Sequence, residues 1–112
     1  MSGFENKAKD LVSRGDQFAL GLYSEVTTVT SDYTASHGEV VLADSSGGAI
    51  TVTLPVPNNT TTVTVKKVDS SGNAVNIATS GSETIDGNSS LSVTNQYTSR
   101  EVVSDSSDYF IK

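Results

Sequence analysis

The chain has 112 residues, the size of a single domain, and 35% of them are hydrophobic, with no Trp and no Cys. The formal net charge of −6 argues against nucleic-acid binding by phosphate neutralisation, which needs clusters of basic residues. Without cysteine the protein forms no disulfide and no thiolate metal site.

Neither a membrane span nor a secretory signal is predicted. No segment approaches the roughly 18 consecutive apolar residues of a spanning helix, and Met1-Ser-Gly-Phe-Glu5 lacks the basic and apolar regions of a signal peptide. If the protein acts outside a cell, we expect it to leave by another route, such as release of an assembled particle. The low hydrophobic content predicts a thin core and favours oligomerisation, because partner subunits bury apolar surface that one chain cannot.

A helix is predicted near the N-terminus, over about residues 2–22. Ser2-Gly-Phe-Glu5 has the form of a capping box, and apolar residues recur at spacings of three, four and seven, which places them on one helical face. That face predicts packing on the chain's own β domain, an attachment or oligomer interface, or a segment that orders only on binding. The candidate interface residues are Phe4, Ala8, Leu11, Val12, Phe18 and Leu22.

From Ser24 onward the pattern changes to a period of two, typical of strands. Short Thr/Val segments separated by Asp-Ser-Ser-Gly and Asp-Gly turns predict about eight strands. We therefore expect an all-β fold, with a β-sandwich or jelly-roll-like domain over residues 31–112 and a helix and arm over residues 1–30. The predicted core residues are Val40, Leu42, Ile50, Val52, Leu54, Val63, Val65, Val75 and Ile77.

Lys67 interrupts the alternation of the predicted strand 61–68. Regular alternation would bury Lys67, whereas a β-bulge between Lys66 and Val68 would turn it outward. We favour the bulge. The alternative is that Lys67 points inward and pairs with an acid at a subunit seam.

One stretch of the chain is echoed 25 residues later. Asp44-Ser-Ser-Gly-Gly-Ala-Ile-Thr-Val52 recurs as Asp69-Ser-Ser-Gly-Asn-Ala-Val-Asn-Ile77. Two copies are too few to indicate a solenoid. We interpret the echo as two hairpins with the same turn chemistry.

No catalytic, cofactor or metal site is predicted. The only histidine, His37, lies beside Gly38 in a predicted turn, without the nucleophile and orienting acid that a general base needs. Five acids lie at strand ends, where Asp favours turns because its side chain accepts nearby backbone N–H groups. A calcium ion between converging loops stays open as an alternative. The five acids are Asp44, Asp69, Asp86, Asp105 and Asp108.

Five segments follow one another in a distinctive order over residues 33–111. They are Gly38-Glu-Val-Val-Leu-Ala-Asp44, Gly48-Ala-Ile-Thr-Val-Thr-Leu-Pro55, Thr64-Val-Lys-Lys-Val-Asp-Ser-Ser-Gly-Asn-Ala-Val75, Ser82-Glu-Thr-Ile-Asp-Gly87 and Val102-Val-Ser-Asp-Ser-Ser-Asp-Tyr-Phe-Ile111. This order resembles a β module of tailed viruses, found in tail fibres, head fibres and capsid-decorating proteins of phages and tailed archaeal viruses. The typical module ends in a turn and strand like Asp-Gly-Ser-Asn-Trp-Tyr, where this chain has Asp105-Ser-Ser-Asp-Tyr-Phe110 without the Trp.

The resemblance implies a non-enzymatic structural protein on the virion surface. We expect a homo-oligomeric turret, decoration or head-fibre protein that is assembled in the host cytoplasm and attached through residues 1–30 to other virion proteins, such as the major capsid protein. A homotrimer is expected, with a pentamer or hexamer as alternatives, and with no nucleic-acid or membrane partner. The alternative function is a tail-fibre or adhesin-type module that recognises a host cell-surface glycan or protein through loops such as 55–60 or 81–88.

Overall fold

A computed structural model describes residues 25–59 and 61–112, and these residues form an all-β structure with two mixed sheets. The predicted N-terminal helix and its interface residues Phe4, Ala8, Leu11, Val12, Phe18 and Leu22 lie outside the described residues. The strands are β1 (Val26–Val29), β2 (Tyr33–Thr34), β3 (Val40–Ala43), β4 (Ile50–Thr53), β5 (Thr62–Lys67), β6 (Val75–Ala78), β7 (Ser90–Val93), β8 (Ser99–Ser104) and β9 (Tyr109–Ile111).

The first six strands alternate between the two sheets. One sheet has the order β1-β3-β5-β8-β9 and the other β2-β4-β6-β7. The pairs β1–β3, β3–β5, β2–β4 and β4–β6 are parallel, so β1–β2, β3–β4 and β5–β6 form three stacked windings of the chain. A jelly roll is built from antiparallel strands, whereas the antiparallel pairs here are β5–β8, β6–β7 and β8–β9, at the C-terminal end of the stack. β1 lies within the segment assigned to the arm, yet it extends the larger sheet.

The 25-residue echo is the repeat of this winding, and the interpretation as two hairpins is wrong. Ile50 pairs with Val75 and Val52 with Ile77, each 25 residues later, in parallel register. Each Asp-Ser-Ser-Gly segment carries the chain from one sheet to the other and does not return it beside its own strand. Equivalent residues therefore stack on one another, which explains why the sequence repeats.

The inward side chains of both sheets form one apolar core. Seven of the nine residues that we expected in the core are buried: Ile50, Val52, Leu54, Val63, Val65, Val75 and Ile77. Val40 and Leu42 instead lie half-buried on the outer face of β3, and Val41 and Ala43 take the inward positions. The physical reason is that all four residues of β3 are apolar, so their pattern does not distinguish the two faces.

The C-terminal part of the chain closes the two sheets with antiparallel strands. The connection between β6 and β7 contains the Asp86-Gly87 turn, where Ile85 and Asn88 exchange both backbone hydrogen bonds. Asp86 and Gly87 have φ values of 49° and 86°, as a type I′ turn requires, and Asp-Gly is favoured there because both residues tolerate positive φ. Backbone bonds from Asp86 to Tyr109 and from Tyr109 to Thr84 fix this turn against β9.

Candidate functional site

A cluster of four polar residues lies between the second and third windings, and we call it the lysine clamp: Ser45, Lys67, Asp69 and Ser71. Strand β5 keeps its regular alternation through Lys67, which is fully buried. The predicted β-bulge is therefore wrong. Val68, whose apolar side chain would break the alternation, lies after the end of β5, and its backbone N–H donates to the Ala43 carbonyl.

The ammonium group of Lys67 has an acceptor for each of its three N–H donors. Nζ lies 2.7 Å from Ser45 Oγ, 2.8 Å from Asp69 Oδ2 and 3.3 Å from Ser71 Oγ. The alternative prediction, that Lys67 points inward and pairs with an acid, therefore gives the correct direction of the side chain. The acid, however, is Asp69 of the same chain, two residues away, and not an acid at a subunit seam. Through its contacts with Ser45, the pair links the connection between β5 and β6 to the connection between β3 and β4.

Besides the bond from Lys67, the carboxylate of Asp69 accepts four further hydrogen bonds. Its Oδ1 accepts from the Ser45 backbone N–H at 2.7 Å and from Ser45 Oγ at 3.0 Å, and its Oδ2 accepts from the Ser71 N–H and hydroxyl. Burial by itself would raise the pKa of Asp69, but the hydrogen bonds from Lys67, Ser71 and Ser45 outweigh it and hold that pKa well below its ordinary value. The carboxylate is fixed in its charged form.

The contact between Ser45 Oγ and Lys67 Nζ has the composition of a serine–lysine catalytic pair, but its location excludes that chemistry. Both residues are fully buried, so no substrate reaches the hydroxyl, and a nucleophile needs an open approach to the reacting atom. The lysine clamp holds two windings together. Burying this charge is tolerated because it is paired and fully hydrogen-bonded.

A second buried acid, Glu39, connects the first winding to the second. Its carboxylate accepts hydrogen bonds from the Thr27 hydroxyl, from Tyr33 OH at 2.5 Å and from the Ser36 backbone N–H at 2.8 Å. Burial raises the pKa of Glu39, but the three hydrogen bonds outweigh this effect and the pKa is lowered. The hydrogen bond to Glu39 in turn raises the pKa of Tyr33. The sequence does not reveal this cluster, because Thr27 and Tyr33 lie 12 and 6 residues before Glu39 and on two different strands.

The predicted turn role matches the contacts of three of the five strand-end acids, Asp44, Asp69 and Asp105, which accept backbone N–H groups two or three residues later. Asp44 accepts from the backbone N–H of Ser46, and Asp105 from those of Ser107 and Asp108. Asp108 accepts from Thr84, and Asp86 from Ile111, which ties the C-terminal turns together. Within residues 25–59 and 61–112, no group of three or more His, Asp or Glu residues is arranged to hold a metal ion.

His37 lies at the surface in the predicted turn. Its Nδ1 is 2.7 Å from Thr61 Oγ1, which also accepts from the Asn58 backbone N–H at 3.1 Å. Nearby, the hydroxyl of the buried Tyr109 donates to the Pro55 carbonyl at 2.7 Å, and burial raises the pKa of Tyr109 to about 12. These bonds anchor the loop 55–59, which we had considered as a receptor-binding loop.

A shallow surface depression of about 540 Å³ lies between the β1–β2 and β3–β4 connections, with Asp32, Gly47 and Gly48 in its lining. Asp32 is the one charged residue of that lining, and its carboxylate already accepts a hydrogen bond from the Thr51 backbone N–H at 2.9 Å. The depression therefore lacks the convergent polar groups of a ligand pocket.

Exposed apolar side chains mark both edges of the larger sheet. Val26 on β1 is 60% exposed, and Phe110 and Ile111 on β9 are 43% and 36% exposed. β1 and β9 are the two outermost strands of this sheet. Within the described residues no strand pairs with the outer side of β1, whereas the outer side of β9 is hydrogen-bonded to residues 84–86.

The chain matches no protein-family model and no curated protein sequence. Within the described part of the chain, no helix is long and apolar enough to cross a membrane.

Proposed function

We propose that this protein is a non-enzymatic structural component of a virion surface, a homo-oligomeric turret, decoration or head-fibre protein that projects its β domain from the particle. The observation that carries the proposal is the exposure of apolar side chains on the two outermost strands of the larger sheet, Val26 on β1 and Phe110 and Ile111 on β9. Exposed edge strands with apolar side chains are the surfaces through which β proteins associate.

The interior of the domain supports a scaffold role. The buried groups that have the chemistry for catalysis, Lys67, Asp69 and Glu39, are all hydrogen-bonded between successive windings. A stack cross-linked in this way resists separation of its windings, which suits a part exposed on a particle. The resemblance of residues 33–111 to β modules of tailed viruses supports the virion assignment.

Immunogold labelling tests the location directly. Antibodies raised against the protein should label the outside of intact particles isolated from the host, at regular positions on the head. Label confined to host cell material, with particles unlabelled, would overturn the virion assignment. Imaging of labelled particles also distinguishes a trimeric decoration from a pentameric or hexameric vertex turret.

Substitution at the sheet edges tests how the subunits associate. Val26→Lys and Ile111→Lys place a charge on each edge, and we expect both to weaken the oligomer because an edge charge opposes strand-to-strand association. The matched control is Val56→Lys, since Val56 is 68% exposed but lies in the loop after β4. Equal oligomer mass in all three variants would show that association does not use these edges.

A further inference from the structure

The turn between β7 and β8 presents an aromatic side chain in a backbone conformation that favours glycine. Asn95, Gln96, Tyr97 and Thr98 form this turn, closed by a hydrogen bond from Thr98 N–H to the Asn95 carbonyl at 3.2 Å. Tyr97 is its third residue, with a φ of 65°. In a turn with positive φ at this position Gly or Asn is preferred, and a bulky residue there strains the backbone. We call these four residues the Tyr97 turn.

The strain at Tyr97 is not offset by burial. Its side chain is 63% exposed, so the ring contributes little to the core. A residue that strains the backbone and packs little is better explained by a role at the surface, because local sequence rules fail mainly at functional sites.

The Tyr97 turn is held rigidly against β5. The Tyr97 N–H donates to the Lys67 carbonyl at 2.7 Å, the Lys67 N–H donates to the Thr98 carbonyl at 3.1 Å, and Gln96 Nε2 donates to the Val68 carbonyl at 3.2 Å. The lysine clamp thus fixes the strand to which the turn is bound. A preorganised turn loses little conformational entropy when it binds a ligand.

Lys66 places a positive charge beside the exposed ring. Its Nζ lies 5.7 Å from the centroid of Tyr97, within the range of a cation–π contact. Lys66 makes no ion pair within the described residues, where the two ion pairs are Lys67–Asp69 and Lys112–Glu101. The side-chain amide of Asn95 likewise makes no hydrogen bond to the described part of the chain. Within the described residues, an ammonium group without an ion pair therefore lies beside an exposed ring, and Asn95 belongs to the same turn, on a protein of net charge −6.

We propose that Tyr97, Lys66 and Asn95 form a binding site for a sugar that carries a carboxylate. The ring of Tyr97 offers an apolar face for the C–H face of a pyranose, the amide of Asn95 matches sugar hydroxyls, and the Lys66 ammonium pairs with the carboxylate. The overall negative charge of the protein repels polyanions, so an isolated acidic sugar at a chain end fits better than a polyanionic chain. This inference goes beyond the proposed scaffold role and stands without it, and the site lies outside both loops expected from sequence.

Binding to immobilised oligosaccharides tests the proposal. The probes are chains that end in glucuronic acid or sialic acid, and the same chains with the carboxylate reduced to an alcohol. The full-length protein should bind the acidic chains, and Tyr97→Gly and Lys66→Gln should each weaken binding by about tenfold or more. The matched control Lys112→Gln removes the charge of another exposed lysine, whose side chain is 66% exposed, and should bind like the wild type.

Thermal unfolding shows whether a variant loses binding because its fold is damaged. Tyr97→Gly should melt at the same temperature as the wild type or higher, because glycine adopts the positive φ without strain. A lower melting temperature for Tyr97→Gly would assign Tyr97 a structural role and overturn the proposal. So would the absence of binding to any acidic chain, equal binding to the reduced chains, or a Tyr97-dependent interaction with a protein alone. Particle labelling does not depend on this site, so the two proposals fail separately.

Discussion

Ala43 lies directly opposite Lys67 in the parallel pairing of β3 and β5, and both side chains are fully buried. In the first winding the same position is occupied by Val29, which pairs with Ala43. The stack therefore places Val, Ala and Lys in one inward row. The methyl group of Ala43 is the smallest of the three, and it leaves space beside the lysine that crosses to Ser45 and Asp69.

Loss of the lysine should destabilise the domain strongly. Lys67→Met leaves the Asp69 carboxylate without its cation, and removing one partner of a buried pair costs about 3–5 kcal/mol. The double variant Lys67→Met/Asp69→Asn should lose less than the sum of the two single variants, because it leaves no unpaired charge. Urea unfolding followed by circular dichroism measures all four proteins. Additive losses would show that the two side chains do not interact.

Adjacent residues of β3 should respond in opposite ways to a charge. Val41→Asp buries a carboxylate in the core and should destabilise the domain by several kcal/mol, whereas Val40→Asp, on the half-buried outer face, should cost much less. The two variants are matched in chemistry and differ only in the face of the strand. Equal melting temperatures, or the reverse order, would contradict the described register.

Acid should destabilise the fold partly through Asp69. Its pKa is lower in the folded protein than in the unfolded chain, where it is about 4, so its contribution is complete above about pH 5 and is lost progressively as the pH falls below that value. Urea midpoints measured from pH 7 to pH 2 should therefore fall less steeply for Asp69→Asn than for the wild type. Parallel curves for the two proteins would show that Asp69 titrates normally.

Alkaline pH should destabilise the fold through the ionisation of Tyr109. Burial raises the pKa of Tyr109 to about 12, above the value of about 10 for the unfolded chain. Its contribution is complete below pH 10 and is lost as the pH rises toward 12. Tyr109→Phe should cost about 0.5–1.5 kcal/mol at neutral pH through the lost bond to Pro55 and should show a smaller further loss between pH 10 and pH 12. An unchanged alkaline profile would indicate that another group controls it.

The turns and the inward faces of the alternating strands were predictable from sequence, whereas the strand partners were not. Ile50, Val52, Val63 and Val65 alternate with polar residues, so their burial follows from the period of two. Pairing depends on where the chain goes after a turn, and Asp-Ser-Ser-Gly serves a connection between sheets as well as a hairpin. The exact 25-residue spacing of the echo was the signal for parallel stacking, and only two copies were available to show it.

The candidate sites were less predictable for physical reasons. A lysine within a strand is usually exposed, and the burial of Lys67 depends on Ser45, 22 residues away. The Tyr97 turn has no glycine to mark a positive φ, so its strained geometry is visible only in the structure. Interface residues on the predicted N-terminal helix stay predictions.

The mass of the full-length protein in solution tests the central claim most directly. At micromolar concentration, sedimentation equilibrium should give a single species whose mass is a multiple of the 11.7 kDa chain, three-fold for the expected trimer, because in the proposed oligomer neighbouring subunits would cover the exposed apolar side chains of β1 and β9. A monodisperse species of 11.7 kDa would contradict the account of this protein as a self-associating scaffold.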